Sequence, residues 1–194
     1  MSTTQPIRNP EKLHDFKKYY LSEKTNPRNY ALCILGLNTA LRISDVLSLK
    51  WGDVYDFSGK KYLTHICVTE KKTGKTRQIA LNHTLAEVLK NYYTWQKNTP
   101  SAEDYLFPSR KGQNLPLGRS QAYRIIKEAA CKTGLEQHVS CHSLRKTFGY
   151  HAWRQGIQPA LLMDIYNHSS FRITKRYLGI DQDDRDNVFL NISL

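Results

Sequence analysis

Apolar residues recur every three or four positions through the first fifty residues. In EKLHDFKKYYL, Leu13, Phe16 and Tyr20 fall on one face, which predicts a helix, with Asn9-Pro10 supplying the cap and first turn. Pro27 opens a second helical pattern carrying Tyr30, Leu32, Ile34, Leu35 and Leu37, and LRISDVLSLKW repeats apolar residues at Leu41, Val46 and Leu49, predicting a third. After Gly52 the texture changes. KYLTHICVTE is β-branched and aromatic, and TRQIAL follows the short KKTGK linker: a hairpin, with Gly74 available for positive φ in its turn. Helical patterns then return at 83–97, 119–132, 142–154, 159–167 and 170–178, with a weaker one near 182–190, while Pro100, Pro108 and Pro116 punctuate the loop between the first two. The expected architecture is mostly α with a small antiparallel β-sheet (α+β), a single domain over 1–194 without internal repeat, low-complexity tract or linker.

A chain of 194 residues, 40% hydrophobic and 24% charged, can bury one core and has an ordinary globular composition. Its longest apolar run, YALCILGL from Tyr30 to Leu37, is too short to cross a membrane, and MSTTQPIRNPEK lacks the apolar centre of an export signal. The expectation is a cytoplasmic protein with no membrane partner. Charge changes the picture more: 29 Lys and Arg against 17 Asp and Glu leave +12, an excess that favours a polyanionic partner, nucleic acid being the commonest. Cys33, Cys67, Cys131 and Cys141 are scattered without a C-x-x-C pair, which argues against a zinc cluster and for a reducing compartment. Cys33 and Cys67, both in apolar runs, are expected in the core.

The candidate chemistry is spread along the chain. CHSLRKTFGYH sets His142 and Arg145 three residues apart, on one face of a helix. TALRISD puts Arg42 at a helix start, with Asp45 three residues on and able to hold it. Lys72 stands at the lip of the hairpin turn. In YNHSSFRITKRYL, His168 precedes Tyr177 by nine residues, and Ser169 and Ser170 can cap the helix on which Ile173 and Tyr177 share a face. Singly, each has a plain alternative: a surface ion pair, a solvated turn lysine, a core tyrosine. No compact Asp, Glu or His cluster has the spacing of a metal site. Arginine can take a metal's place against phosphate, since its planar fork binds two oxygens and does not deprotonate.

Taken in order, these residues give the chain a resemblance to the tyrosine recombinase (phage integrase) family. Arg42 lies in TALRISD where that family has a T-G-L-R-x-S-E type segment. Lys72 lies in KKTGKTR, like the hairpin lysine of a G-K-G-x-K-x-R type segment. HSLRKTF is similar to H-x-L-R-H-T-F, YNHSS to L-G-H-S-S, and Tyr177 follows that His at the family's interval. The resemblance runs from about residue 28 to 180. Three departures stand out: Asp45 for the usual Glu, Asn167 for a common Gly, and Lys146 for a frequent His. Asn tolerates the left-handed backbone such a turn needs.

The resemblance implies a catalytic set of Arg42, Lys72, His142, Arg145, His168 and Tyr177, with Asp45 in support, and a site-specific DNA recombinase. Tyr177 would attack a scissile phosphate in double-stranded DNA, giving a 3′-phosphotyrosine and a free 5′-hydroxyl, with His142 as general base, Lys72 protonating the leaving oxygen, and Arg42, Arg145 and His168 stabilising the transition state. It implies no metal and no nucleotide cofactor, a homotetramer assembled on DNA from protein that can be monomeric in solution, and a tail at 181–194 able to dock on a neighbouring protomer. A separate N-terminal core-binding domain is not expected within these residues, as in the short recombinases of fimbrial phase-variation switches. On the 119–132 helix, Arg119, Tyr123, Arg124 and Lys127 oppose Ala122, Ile126 and Ala129 and are candidates for DNA contact. Two other readings stay open: DNA relaxation of the topoisomerase IB type, and a DNA-binding regulator without turnover.

Overall fold

The computed structural model describes residues 4–72, 74–112, 114–135, 138–180 and 189–192. Helix α1 (Pro10–Lys18) begins where the Asn9 side chain accepts the Lys12 N–H at 3.0 Å, and it runs on into a π-helical turn, Tyr19–Glu23. Helix α2 (Pro27–Asn38) is capped by Asn26 and is buried at every residue from Ala31 to Leu37. Apolar all round, it forms the centre of the molecule. The glycine at Gly36 lets another helix approach closely, since a Cβ there would lie 2.7 Å from Leu144 Cδ1.

The third helix is shorter than its pattern predicts: α3 covers only Ile43–Val46. Leu47, Leu49 and Trp51 are buried all the same. They are held by a bridge between Lys50 and Tyr105 and by the Asp53 carboxylate, which accepts the Lys50 N–H at 2.8 Å. Leu47 still closes the last turn of α3, its N–H bonding to Ile43 O at 2.9 Å, but beyond it tertiary contacts bury Leu49 and Trp51.

The expected sheet is two separate antiparallel hairpins. One pairs β1 (Tyr55–Asp56) with β2 (Lys61–Tyr62); the other pairs β3 (His65–Thr69) with β4 (Thr76–Ala80), in register from His65 opposite Ala80 to Thr69 opposite Thr76. Gly74, in the second turn, has φ +68°. On β3, Ile66 and Val68 point inward, so the period of two turns Cys67 outward. Cys67 is therefore exposed and not the core residue expected, whereas Cys33 is buried.

Helix α4 (His83–Trp95), capped by Asn82, lies against α2, and Trp51 sits among Tyr92 and Tyr93 at ring separations of 5.5 and 5.2 Å. Helix α5 (Arg119–Lys132) buries Ala122, Ile125, Ile126, Ala129 and Ala130. Helices α6 (Cys141–Arg154), α7 (Pro159–Tyr166) and α8 (Phe171–Leu178) follow. The main core fills the space among α1 to α6, and a smaller one joins Ala40, Leu162, Tyr166, Leu178 and Ile180. The helical pattern near 182–190 lies largely outside the described residues.

Candidate active site

Arg42 is the extended cap residue of α3, with φ −71° and ψ 148°. Ala40, just before it, holds a left-handed φ of 53°, a conformation that costs an L-residue about 1–2 kcal/mol. The strain accompanies a contact: the Ala40 carbonyl accepts Nη1 of Arg145. Arg42 Nη1 itself meets Glu70 Oε2 at 2.6 Å. The partner expected for Arg42 was Asp45, and that pair is not formed. Helical spacing brings residues three apart together only when both have helical backbone, and Arg42 precedes the helix. Asp45 instead turns inward, fully buried, and its Oδ1 accepts the Lys71 N–H at 3.1 Å. Among the described residues its Oδ2 has no hydrogen-bond partner.

Ser140 caps α6 reciprocally with Ser143, which fixes the helix start one residue before His142. Arg145, one turn on, is only 3% exposed. It donates to the carbonyls of Ala40 and, at 3.5 Å, Tyr166, and its guanidinium lies 4.6 Å from the centre of the Tyr166 ring. Among the described residues no carboxylate forms an ion pair with it. A buried cation held by carbonyl dipoles and a π face keeps its appetite for an anion.

The corner between α7 and α8 supplies the rest. Asn167 ends α7 in the left-handed region at φ 53° and ψ 48°, as its side chain permits. Ser170 caps α8 by accepting the Ile173 N–H. Between them His168 lies 5.5 Å from the Tyr166 ring and meets the Tyr177 ring edge-on at 5.2 Å, with Nδ1 3.1 Å from Thr174 Oγ1. Gly149 of α6 makes this packing possible, because a Cβ there would collide with the Tyr166 ring and Leu178.

One electrostatic field joins these groups. Burial lowers the pKa of His142, and the charges of Arg145, Lys146, Arg42 and Arg119 lower it further. His168 is lowered by burial and then by Arg145 and Arg42. The Tyr177 phenol is raised by burial, while the charge of Arg145, a hydrogen bond with it, and the charge of Arg42 pull it back. Both imidazoles are thus neutral at neutral pH, beside a phenol that keeps its proton.

Arg42, His142, Arg145, His168 and Tyr177 are therefore together, and Lys72 is not among them. It is exposed on the hairpin turn and makes no hydrogen bond among the described residues. The turn is tied down on both sides of it, by Lys71 to Asp45 and by Lys75 Nζ to Asn167 Oδ1 at 2.7 Å. On α5, Arg119, Arg124 and Lys127 are exposed and Tyr123 is half-buried, with Lys127 Nζ 5.8 Å from the Tyr123 ring centre. Sequence reasoning missed Glu70, Tyr166 and Thr174, and placed Lys146 outside the site although its Nζ lies 5.3 Å from the Tyr177 ring centre. Glu70 had a readable signal: just past the end of β3, it keeps the every-second-residue spacing of the inward Ile66 and Val68, where an acid is out of place. Among the described residues no group of three His, Cys, Asp or Glu could hold a metal ion, and no helix is long and apolar enough to cross a membrane.

The model of the phage integrase family matches residues 9–183. The chain belongs to that family, the tyrosine recombinases. It is 43% identical over 183 residues to the probable integrase/recombinase YoeC of Bacillus subtilis (strain 168), covering 94% of this chain and 93% of that one. It is 30% identical over 192 residues to a tyrosine recombinase of Pseudothermotoga lettingae, covering 94% of this chain but 63% of the longer relative. Superposed on the crystal structure of XerA recombinase it gives a TM-score of 0.77 at 21% identity, covering 99% of this chain and 68% of that one, a likeness of fold. The recombinase thus has the catalytic-domain fold that its sequence predicts, and its enzyme class is that of the tyrosine-type site-specific recombinases.

Proposed function

We propose that this recombinase cuts and rejoins double-stranded DNA through a covalent bond between Tyr177 and a 3′-phosphate. The supporting observation is the convergence of Tyr177 with a buried Arg145, with Arg42 and with two neutral histidines in one field. Tyr177 Oη attacks the scissile phosphorus and forms an O–P bond, while the bond from phosphorus to the 5′-oxygen breaks. The phenol proton passes to His142, whose lowered pKa leaves it neutral and able to accept. Lys72 gives a proton to the departing 5′-oxygen, which requires the hairpin to bring it in when DNA binds. Arg42 and Arg145 hold the nonbridging oxygens as negative charge builds. Losing one such donor costs about 3 kcal/mol, or roughly 100-fold in rate.

His168 donates to the same phosphate through Nε2–H in the tautomer whose Nδ1 accepts from the Thr174 hydroxyl, which stands 3.1 Å from Nδ1 and 3.4 Å from the Ser170 carbonyl oxygen. The reverse reaction, attack of a 5′-hydroxyl on the phosphotyrosine, rejoins the strand. Because the ester conserves the energy of the broken bond, the exchange calls for neither nucleotide nor metal. Exchange between two duplexes needs four such sites, hence four protomers on DNA. The exposed basic side chains of α5 face the duplex in this reading, with Arg119 near enough for its charge to reach His142.

The test is a trapping experiment with nicked duplexes drawn from the DNA flanking the gene, from which the short freed end diffuses away. Wild type should form a denaturant-resistant protein–DNA adduct without divalent metal, and Tyr177→Phe none. An adduct that persists in Tyr177→Phe, or firm binding without adduct on every bound fragment, would contradict the proposal.

A further inference from the structure

Glu70 carries a charge into the core at the end of β3, where an apolar side chain is expected. It comes directly after β3, two residues beyond Val68 in the inward series Ile66, Val68, and its side chain has no exposed surface. A buried carboxylate is costly unless cations meet it. Two do: Arg42 Nη1 stands 2.6 Å from Oε2, and Arg77 Nε stands 3.3 Å from Oε1. Arg77 reaches on to the last carbonyls of α7, donating to Ile165 O and, at 3.0 Å, to Asp164 O, just before the Asn167–His168 corner. The Glu70 backbone also closes the turn that carries Lys72, its N–H bonding to Lys75 O at 3.0 Å and its carbonyl accepting the Gly74 N–H at 2.8 Å. One residue therefore touches Arg42, the Lys72 hairpin and, through Arg77, the His168 corner.

We propose that Glu70 is a positioning residue for strand cleavage, an inference that rests on the reading of the site given above. Its carboxylate holds the Arg42 guanidinium by one nitrogen. The other donors of the fork remain for the phosphate. A buried ion pair is a poor device for stability alone, since apolar residues of like volume often serve as well. It is a good device for aiming a long side chain, where an error of about 1 Å can cost about 100-fold in rate. Glu70 also offsets part of the Arg42 charge. Removing its own charge therefore should not weaken DNA binding, but should slow the chemistry. That split separates a positioning role from a merely structural one.

The experiment compares wild type, Glu70→Gln and Glu70→Asp on a nicked duplex and on the same duplex with a methylphosphonate at the scissile position. The methylphosphonate lacks the nonbridging charge that Arg42 would neutralise. Glu70→Gln should bind DNA as well as wild type or better and form the adduct at least 10-fold more slowly, and on methylphosphonate that defect should shrink to under 3-fold. Glu70→Asp, which keeps the charge on a shorter arm, should fall between the two, and it carries the test alone if circular dichroism shows Glu70→Gln to be unfolded. Wild-type rates in the folded variants, an equal defect on both substrates, or a drop in cleavage that merely tracks weaker binding would overturn the inference while leaving Tyr177 as nucleophile. A wild-type protein that forms no Tyr177-dependent adduct would instead overturn the underlying reading, and this inference with it.

Discussion

Arg145 is the residue on which chemistry and fold press hardest. Its fork is spent partly on the Ala40 and Tyr166 carbonyls, and its plane lies over the Tyr166 ring. Lysine keeps the charge but has neither fork nor plane. Arg145→Lys should therefore retain DNA binding and lose roughly 100-fold in adduct formation, read by single-turnover trapping; cleavage at the wild-type rate would mean that only charge matters there. The two histidines make a pH prediction whose sign follows from the direction of their shifts. The proposed mechanism uses a neutral His142 as base, and its pKa lies below the ordinary value. Cleavage should hold steady as pH falls toward about 6.5, the ordinary histidine pKa, and fail only below it. The same shifts affect stability. Below about 6.5 the unfolded chain binds more protons at these sites than the native one, so their stabilising effect is full above that pH and is lost as pH falls through the lowered values. A pH–rate profile that already falls above the ordinary histidine pKa would contradict the assignment.

Among elements, the packing of α7 and α8 on α6 depends on the missing side chain of Gly149. A methyl group there meets the rigid Tyr166 ring and Leu178, so neither α7 nor α8 can stay in place. Gly149→Ala should destabilise the fold by about 1–3 kcal/mol through overpacking, measured by denaturant unfolding. It should also slow cleavage, because Tyr177 and His168 move with the displaced helices; an unchanged midpoint would refute the close-packing account. Local chemistry made some of these elements legible in the sequence, while contacts between distant segments did not show there. Helix α5 matched its pattern, and the left-handed Asn167 and the Ser170 cap were legible because each depends on local chemistry. The Arg42 pairing was not, since the i, i+3 rule presumes helical backbone at both ends and Arg42 is extended. Cys67 was misplaced because an apolar run was given weight over strand alternation. The link from Glu70 to Arg42 spans 28 residues and two kinds of element, which no periodicity encodes.

Across the whole molecule, the +12 charge and the exposed cations of α5 predict binding that weakens steeply with salt. Arg119→Ala, Arg124→Ala and Lys127→Ala should each lower affinity, and each should reduce the slope of log K against log salt by roughly 1 if the side chain neutralises one phosphate. Slopes equal to that of wild type would place this helix face in solvent. The order of the family-type segments along the chain conveyed the family, and the structure brings five of the six proposed catalytic residues into one field. Lys72 stands apart, exposed on the hairpin turn, and its proposed role requires the hairpin to move when DNA binds. Mass spectrometry of the proteolysed wild-type adduct tests Tyr177 as the nucleophile. The expected product is a nucleotide attached through its 3′-phosphate to the peptide containing Tyr177. Attachment at any other residue, or through a 5′-phosphate, would contradict it.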